Sequence, residues 1–112
     1  MTFPAMTEDE GLHTGYDREV VDRVWALAAT VSGNDPAIWR KDEHGAWMHR
    51  MEYGNRHSQF GWEIADCGSY IRRVGVSSLR AMQWQNYLDW MVANRHGAVM
   101  TADGLNNTRR LL

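Results

Sequence analysis

Apolar side chains recur at helical spacing in one segment near the start of the chain, YDREVVDRVWALAATVSG (residues 16–33). Asp17 is a suitable N-cap, Glu19 lies in the first turn where the helix dipole favours a negative charge, and Gly33 can end the helix. The spacing predicts a helix that is buried along one side. Its buried stripe is predicted to be Val20, Val24, Leu27, Ala28 and Val31, with Val21 and Trp25 beside it.

Two short apolar runs, residues 38–40 and 46–53, flank a polar turn and predict a β-hairpin. In the second run, alternate residues fall on opposite faces of a strand, which places Met48 on the face with Arg50 and Glu52. Another strand is predicted over residues 60–65. The other face of the second run carries Trp47, His49, Met51 and Tyr53.

The second half of the chain predicts one more helix and a short strand. Residues 66–77 read as an irregular connection, and QWQNYLDWMVANR (residues 83–95) carries Trp84, Leu88 and Met91 at helical spacing. A strand over residues 98–101 precedes an Asp103-Gly104 turn. The expected fold is a small single α+β domain over residues 16–112, preceded by a flexible acidic arm over residues 1–15.

Composition and charge narrow the classes of function. The 112 residues are 44% hydrophobic and 23% charged, which is an ordinary globular balance, and a net charge of -2 argues mildly against a protein that mainly holds phosphate backbones. Cys67 is the one cysteine, which excludes an internal disulfide and a multi-cysteine zinc site. The sequence contains no long apolar run and no leader pattern, so we expect a cytoplasmic protein with no membrane contact.

Two separated blocks of the chain resemble the small HNH endonuclease-like domains of phages and mobile elements. The blocks are RKDEHGAWMHRMEYGNRHSQFGWEIADCG (residues 40–68) and SSLRAMQWQN (residues 77–86). In that family, Gly-Trp-Glu-Ile runs into an Asp-His pair, and after a glycine-rich loop comes Asn-Leu-Arg-x-x-Gln-Trp-x-Asn-Asn. The resemblance implies an N-terminal helix and a β-hairpin joined to a ββα motif.

The resemblance also implies that the nuclease site is degenerate. The family uses a histidine as general base, an asparagine that orients it, and an aspartate and a final His or Asn that hold a divalent ion. Carried onto this chain, the ligand aspartate is Ala65, the base is Asp66, the orienting asparagine is Ser78 and the final ligand is Tyr87. With all four changed, we expect no catalytic residue, no metal and no cofactor.

A shift of one position does not restore the chemistry. Asp66 would then be the metal ligand and Cys67 the base, and a neutral thiol is a poor activator of water. Asn86 directly precedes the lost final ligand and is expected to point elsewhere on its helix.

Other residues allow more than one interpretation. His44, His49 and His57 are conceivable zinc ligands, but their spacing fits no zinc pattern, and histidines in such positions more often make hydrogen bonds. Arg72, Arg73 and Arg80 fit binding to phosphate or to a protein carboxylate, or simple exposure to solvent.

A scaffold that has lost its catalytic groups is expected to bind a protein. Tyr, Trp and Arg are the residue types that dominate interface energetics. The partner-binding residues are predicted to be Tyr70, Arg72, Arg73, Tyr87 and Trp90. By analogy with the genetic setting of the resembling family, the expected role is inhibition of a host defence complex, such as a CRISPR–Cas complex, in the manner of an anti-CRISPR protein. The alternatives are a DNA-binding remnant without cleavage and an atypical active metal-dependent endonuclease.

Overall fold

The computed structural model describes residues 16–68, 78–92 and 98–111. The predicted arm over residues 1–15 and the predicted contacts Tyr70, Arg72 and Arg73 lie outside these ranges. The described elements form a small compact α+β domain, which confirms the predicted class. In chain order they are α1 (Arg18–Leu27), β1 (Trp39–Lys41), β2 (Trp47–His49), a 3-10 turn (Arg50–Glu52), β3 (Trp62–Asp66), β4 (Leu79–Gln83), α2 (Trp84–Met91), β5 (Ala98–Asp103) and β6 (Asn106–Leu111).

Helix α1 begins where the sequence predicts and ends earlier. The carboxylate of Asp17 caps it by accepting a backbone N–H hydrogen bond, as predicted. The helix ends at Leu27 and not near Gly33. At this end the guanidinium of Arg40 donates to two carbonyl oxygens, and Ala29 then pairs with the last residue of β1. These contacts satisfy carbonyl groups that a longer helix would have bonded.

The buried side of α1 is rotated from the predicted stripe. Val21, Val24 and Trp25 are the buried residues of the helix, whereas Val20 is half-buried and Leu27 is 63% exposed. The rotation follows from the surface against which α1 packs, because the helix lies on the β3–β4 pair with Trp25 against the ring of Trp62 at 5.3 Å.

The predicted hairpin is present, but one face of β2 was assigned wrongly. Strands β1 and β2 pair antiparallel, and Gly45 adopts a φ of 88° in the turn between them. The prediction placed Met48 on one face with the polar residues Arg50 and Glu52. In the structure Met48 is fully buried and packs in the core with Trp62, so the core covers that face. The strand ends at His49, and a 3-10 turn replaces the predicted extension to Tyr53.

Strand β4 was not predicted, and it leads directly into α2. It pairs antiparallel with β3 in a register that places Trp62 opposite Gln83 and Ala65 opposite Arg80. The side-chain oxygen of Gln83 accepts the N–H groups of Gln85 and Asn86 and so caps the helix. The strand and the helix therefore follow one another without a connecting loop.

The last two strands form the third antiparallel pair. The pairing of Asp103 with Asn106 leaves Gly104 and Leu105 at the turn, and Gly104 has a φ of 65°. The three strand pairs are separate two-stranded sheets. No helix in the described part of the chain has the length and apolarity needed to cross a membrane.

Candidate interaction surface

The four residues assigned to the degenerate nuclease site lie at the β3–β4 pair and on α2. Ala65 is completely buried in β3. Asp66 ends the strand, is exposed, and accepts a hydrogen bond from the Gly68 N–H at 2.9 Å. Ser78 is buried just before β4, and its carbonyl oxygen accepts the Cys67 N–H at 2.6 Å. Tyr87 is half-buried in the first half of α2.

Tyr87 belongs to an aromatic group on the outer side of α2. Its ring stacks on Trp90, with 6.0 Å between ring centroids and 29° between planes. The guanidinium carbon of Arg56 lies 5.8 Å from the centroid of the Tyr87 ring. Residues 87, 90 and 91 are three and four positions apart and share a helix face. Trp90 is 39% exposed and Met91 is 56% exposed. We call Arg56, Tyr87, Trp90 and Met91 the α2 patch.

The sequence prediction included Tyr87 and Trp90 and missed the other two members of the α2 patch. Met91 was used only as a sign of helical spacing, together with Trp84 and Leu88. The inward side of α2 is in fact occupied by Asn86, the one buried residue of that helix. Arg56 lies in a loop far from α2 in sequence, so no pattern in the chain pointed to it.

Arg56 is held in place by an ion pair. Its Nε donates to the Glu63 carboxylate at 2.9 Å, and the Glu63 side chain is only 6% exposed. A carboxylate that is this well buried needs a charged partner, so the pair fixes the guanidinium beside the Tyr87 ring. Arg56 is therefore held in its place in the α2 patch by a contact within the chain.

Two tyrosines beside the α2 patch keep their protons. Burial, and then the negative charges of Glu63 and of the neighbouring tyrosines, raise the pKa of Tyr53 to about 12. Burial and the carboxylate of Asp66 also raise the pKa of Tyr16. Both phenols stay neutral at physiological pH, so neither serves as an anionic ligand.

Cys67 is also neutral. Burial raises the pKa of its thiol, Arg80 partly offsets this, and Glu43 and Asp66 raise the pKa further. A neutral thiol is neither a good nucleophile nor a good metal ligand.

The histidines are not brought together. The Nδ1 of His49 accepts the Met51 N–H, and its ring packs edge-on against Trp39 at 4.8 Å. His44 lies 3.9 Å from the carboxylate of Glu43. Across residues 16–68, 78–92 and 98–111, no group of three or more His, Cys, Asp or Glu side chains is arranged to hold a metal ion.

A buried polar cluster behind α2 was not predicted. Asp42 accepts four N–H groups: those of His44 and Ala46 on Oδ1, and the Gln83 backbone and Asn86 side chain on Oδ2. The Asn86 side chain also exchanges hydrogen bonds with the backbone of Met100, at 2.9 and 2.7 Å. Asn86 does point away from the position of the lost ligand, and it points into the interior. The cluster joins the β1–β2 turn, α2 and β5.

No protein-family model, no curated protein and no solved structure matches the chain. The proposed function therefore rests on the arrangement of the described side chains.

Proposed function

We propose that this protein is a non-enzymatic binding protein built on an HNH-like ββα scaffold without its metal site. It acts by protein–protein contact through the α2 patch, as an inhibitor of a host defence complex such as a CRISPR–Cas complex. The observation that carries the proposal is the α2 patch itself. It combines a stacked Tyr87–Trp90 pair, an ion-paired Arg56 and an exposed methionine on one surface. Aromatic and arginine side chains are the usual anchors of protein interfaces.

The order of the elements supports the choice of scaffold. Strands β3 and β4 form an antiparallel pair that continues into α2, and the two resembling sequence blocks supply all three elements. In this proposal Ala65 stands where the family has a carboxylate ligand. Its methyl group is fully buried and offers no oxygen to an ion.

The charges near the α2 patch favour a protein over a nucleic acid as the partner. Arg56, the cation of the α2 patch, is paired with the buried carboxylate of Glu63 at 2.9 Å. Binding to a phosphate backbone is driven by protein cations that displace counterions from the nucleic acid, and Arg56 is already neutralised by its partner. The chain as a whole carries a net charge of -2.

The proposal is tested by quantitative affinity capture from a bacterial lysate that contains an active CRISPR–Cas system. The tagged protein is compared with the double variant Tyr87→Ala/Trp90→Ala and with the control Leu105→Ala, which removes a 75% exposed side chain at the β5–β6 turn. Removing an interface anchor typically costs about 2 kcal/mol or more, so recovery of defence-complex subunits should fall at least tenfold for the double variant only. All three proteins should unfold at similar temperatures.

Two results would contradict the proposal and support one of the alternative functions. Nicking of plasmid DNA in Mg²⁺, Mn²⁺ or Ni²⁺ would establish an active nuclease. Salt-sensitive gel shifts with DNA, together with no capture of a protein partner, would establish the DNA-binding alternative.

A further inference from the structure

A groove of about 360 Å³ lies on the side of β4 that faces away from β3. Its size falls in the range of ligand-binding clefts, and it is separate from the α2 patch. One wall is the edge of β4, and the other is formed by the end of α1 with the last residues of β1. The lining residues are Leu27, Ala28, Ala29, Lys41, Asp42, Glu43, Leu79, Arg80 and Ala81.

The direction of the backbone groups of β4 can be read from its hydrogen bonds. The N–H of Trp84 and the carbonyl of Ser78 bond toward β3 and its flanks, whereas the N–H of Gln83 bonds away from β3, to Asp42. Bonding directions alternate along an antiparallel strand, so the N–H and C=O of Ala81 also point away from β3. Both groups therefore face the groove.

These two backbone groups have no hydrogen-bond partner in the part of the chain that the structure describes. Ala81 is 8% exposed and lines the groove, so its N–H and C=O are reached only through the groove. Unpaired groups at a strand edge are a template for pairing, and an added strand would satisfy both. The edge of β4 is thus suited to pairing with an extended peptide.

We propose that the groove binds an extended segment of a partner protein, which adds to β4 as an antiparallel strand. The residue opposite Ala81 would turn its side chain toward Leu27 and Ala28, so a small or branched apolar residue fits there. Its sequence neighbours would turn toward the face of Arg80. The segment is therefore one in which apolar and acidic residues alternate.

Arg80 is the charge in the groove that supports acidic neighbours. It adds a positive charge to the lining and Glu43 adds a negative one, whereas the ammonium of Lys41 lies over the Trp47 ring, 4.7 Å from its centroid. The Asp42 carboxylate is already saturated by four N–H donors and does not face the groove as a free charge. The contact between Arg80 and Glu43 is 3.6 Å long and partly exposed, so an incoming carboxylate can share the guanidinium at little cost.

The test uses the full chain and a synthetic peptide of alternating valine and glutamate, acetylated and amidated at its ends. Binding is followed by NMR titration, and hydrogen exchange reports on the Ala81 N–H. We expect saturable binding at or below about 1 mM, with slower exchange at Ala81. N-methylation of every valine removes the N–H groups that face β4 and should weaken binding at least tenfold. N-methylation of every glutamate changes only the outward N–H groups and should leave binding close to that of the parent peptide.

Protein variants provide the second arm. Leu27→Glu places a negative charge in the groove at a position that is 63% exposed, and it should weaken binding at least fivefold. The control Leu105→Glu, at a position that is 75% exposed and outside the groove, should not weaken binding. The double variant Tyr87→Ala/Trp90→Ala should bind the peptide like the unmodified protein, so this inference stands or falls apart from the proposed function. It is overturned if no binding occurs by about 1 mM or if valine methylation has no effect. Concentration-dependent protection of Ala81 without peptide would overturn it in favour of a second copy of the chain.

Discussion

Single buried polar side chains connect distant parts of this molecule by hydrogen bonds, and Asp42 is the clearest case. Its side chain lies at the end of β1 and accepts hydrogen bonds from its own turn and from residues more than forty positions away. In the sequence it is one of three polar residues that precede Gly45 in a turn, and no sequence pattern distinguishes it from Glu43. The difference arises from tertiary structure, because only Asp42 faces the end of β4.

Replacement of Asp42 by alanine should destabilise the protein strongly. The variant leaves buried donors on Gln83 and Asn86 without an acceptor, and each such loss costs about 1–3 kcal/mol. We expect the free energy of unfolding in urea to fall by about 3 kcal/mol or more. The matched control Glu43→Ala removes a half-exposed carboxylate next to it and should change the value by less than about 1 kcal/mol. Equal effects of the two variants would contradict the assigned role of Asp42.

Tyr53 should make the stability sensitive to alkaline pH. Its pKa is raised from an ordinary value of 10.0 to about 12 in the folded protein. The unfolded state therefore ionises first, so the stabilisation is complete below pH 10.0 and is lost as the pH rises toward about 12. In urea unfolding across this interval, Tyr53→Phe should lose less stability than the unmodified protein. The phenylalanine ring retains the contact with Trp62, so parallel curves would show that another group is responsible.

At the scale of elements, the sequence predicted those that depend on local signals. Helix α1 has a side-chain cap and an apolar side, and the β1–β2 hairpin has a polar turn with a glycine of positive φ. Strand β4 was missed because LRAMQW mixes polar and apolar residues without strict alternation. Both faces of β4 contact other elements, so polar alternation was not required.

The α2 patch was predicted only in part for a similar reason. The residue types of Tyr87 and Trp90 indicated binding, but the face of α2 that is exposed depends on Asn86. A buried asparagine on a helix runs against the expectation that apolar residues face the interior. Its hydrogen bonds to Asp42 and Met100 reverse that preference, and they follow from the arrangement of three elements rather than from local sequence.

Gly61 joins the loop before β3 to the start of α2, and its replacement by alanine tests that junction. An added methyl group would overlap the backbone oxygen of Asn55, which cannot move as a flexible side chain would. The Gly61 carbonyl also accepts the Trp84 N–H at 3.0 Å. We expect Gly61→Ala to lower the free energy of unfolding by about 3 kcal/mol.

Gly33→Ala is the control for Gly61→Ala. Gly33 has open space around it and a φ of 88°, so this variant carries only the conformational cost of about 1–2 kcal/mol. Chemical denaturation of both variants provides the comparison. A smaller loss for Gly61→Ala than for Gly33→Ala would show that the junction can adjust.

At the scale of the whole molecule, the described residues form three two-stranded sheets and two helices, which are held together without one continuous sheet. The sequence predicted the α+β class and the approximate order of elements. It did not predict how the pairs meet, because those contacts are made by side chains that are distant in sequence. Trp62 packs against Trp25 and Tyr53, and Asn107 bonds to the backbone of Trp47 across sixty positions.

The bonds of Asn86 have a consequence for how the chain folds. The asparagine connects to Asp42, 44 positions earlier, and to Met100, 14 positions later, so both loops must close before the connection can form. Because loop closure must precede this connection, we expect it to form late, after the folding transition state. Asn86→Ala should therefore accelerate unfolding while leaving the refolding rate nearly unchanged in stopped-flow measurements. The asparagine would then govern how long the native state lasts rather than how quickly it is reached.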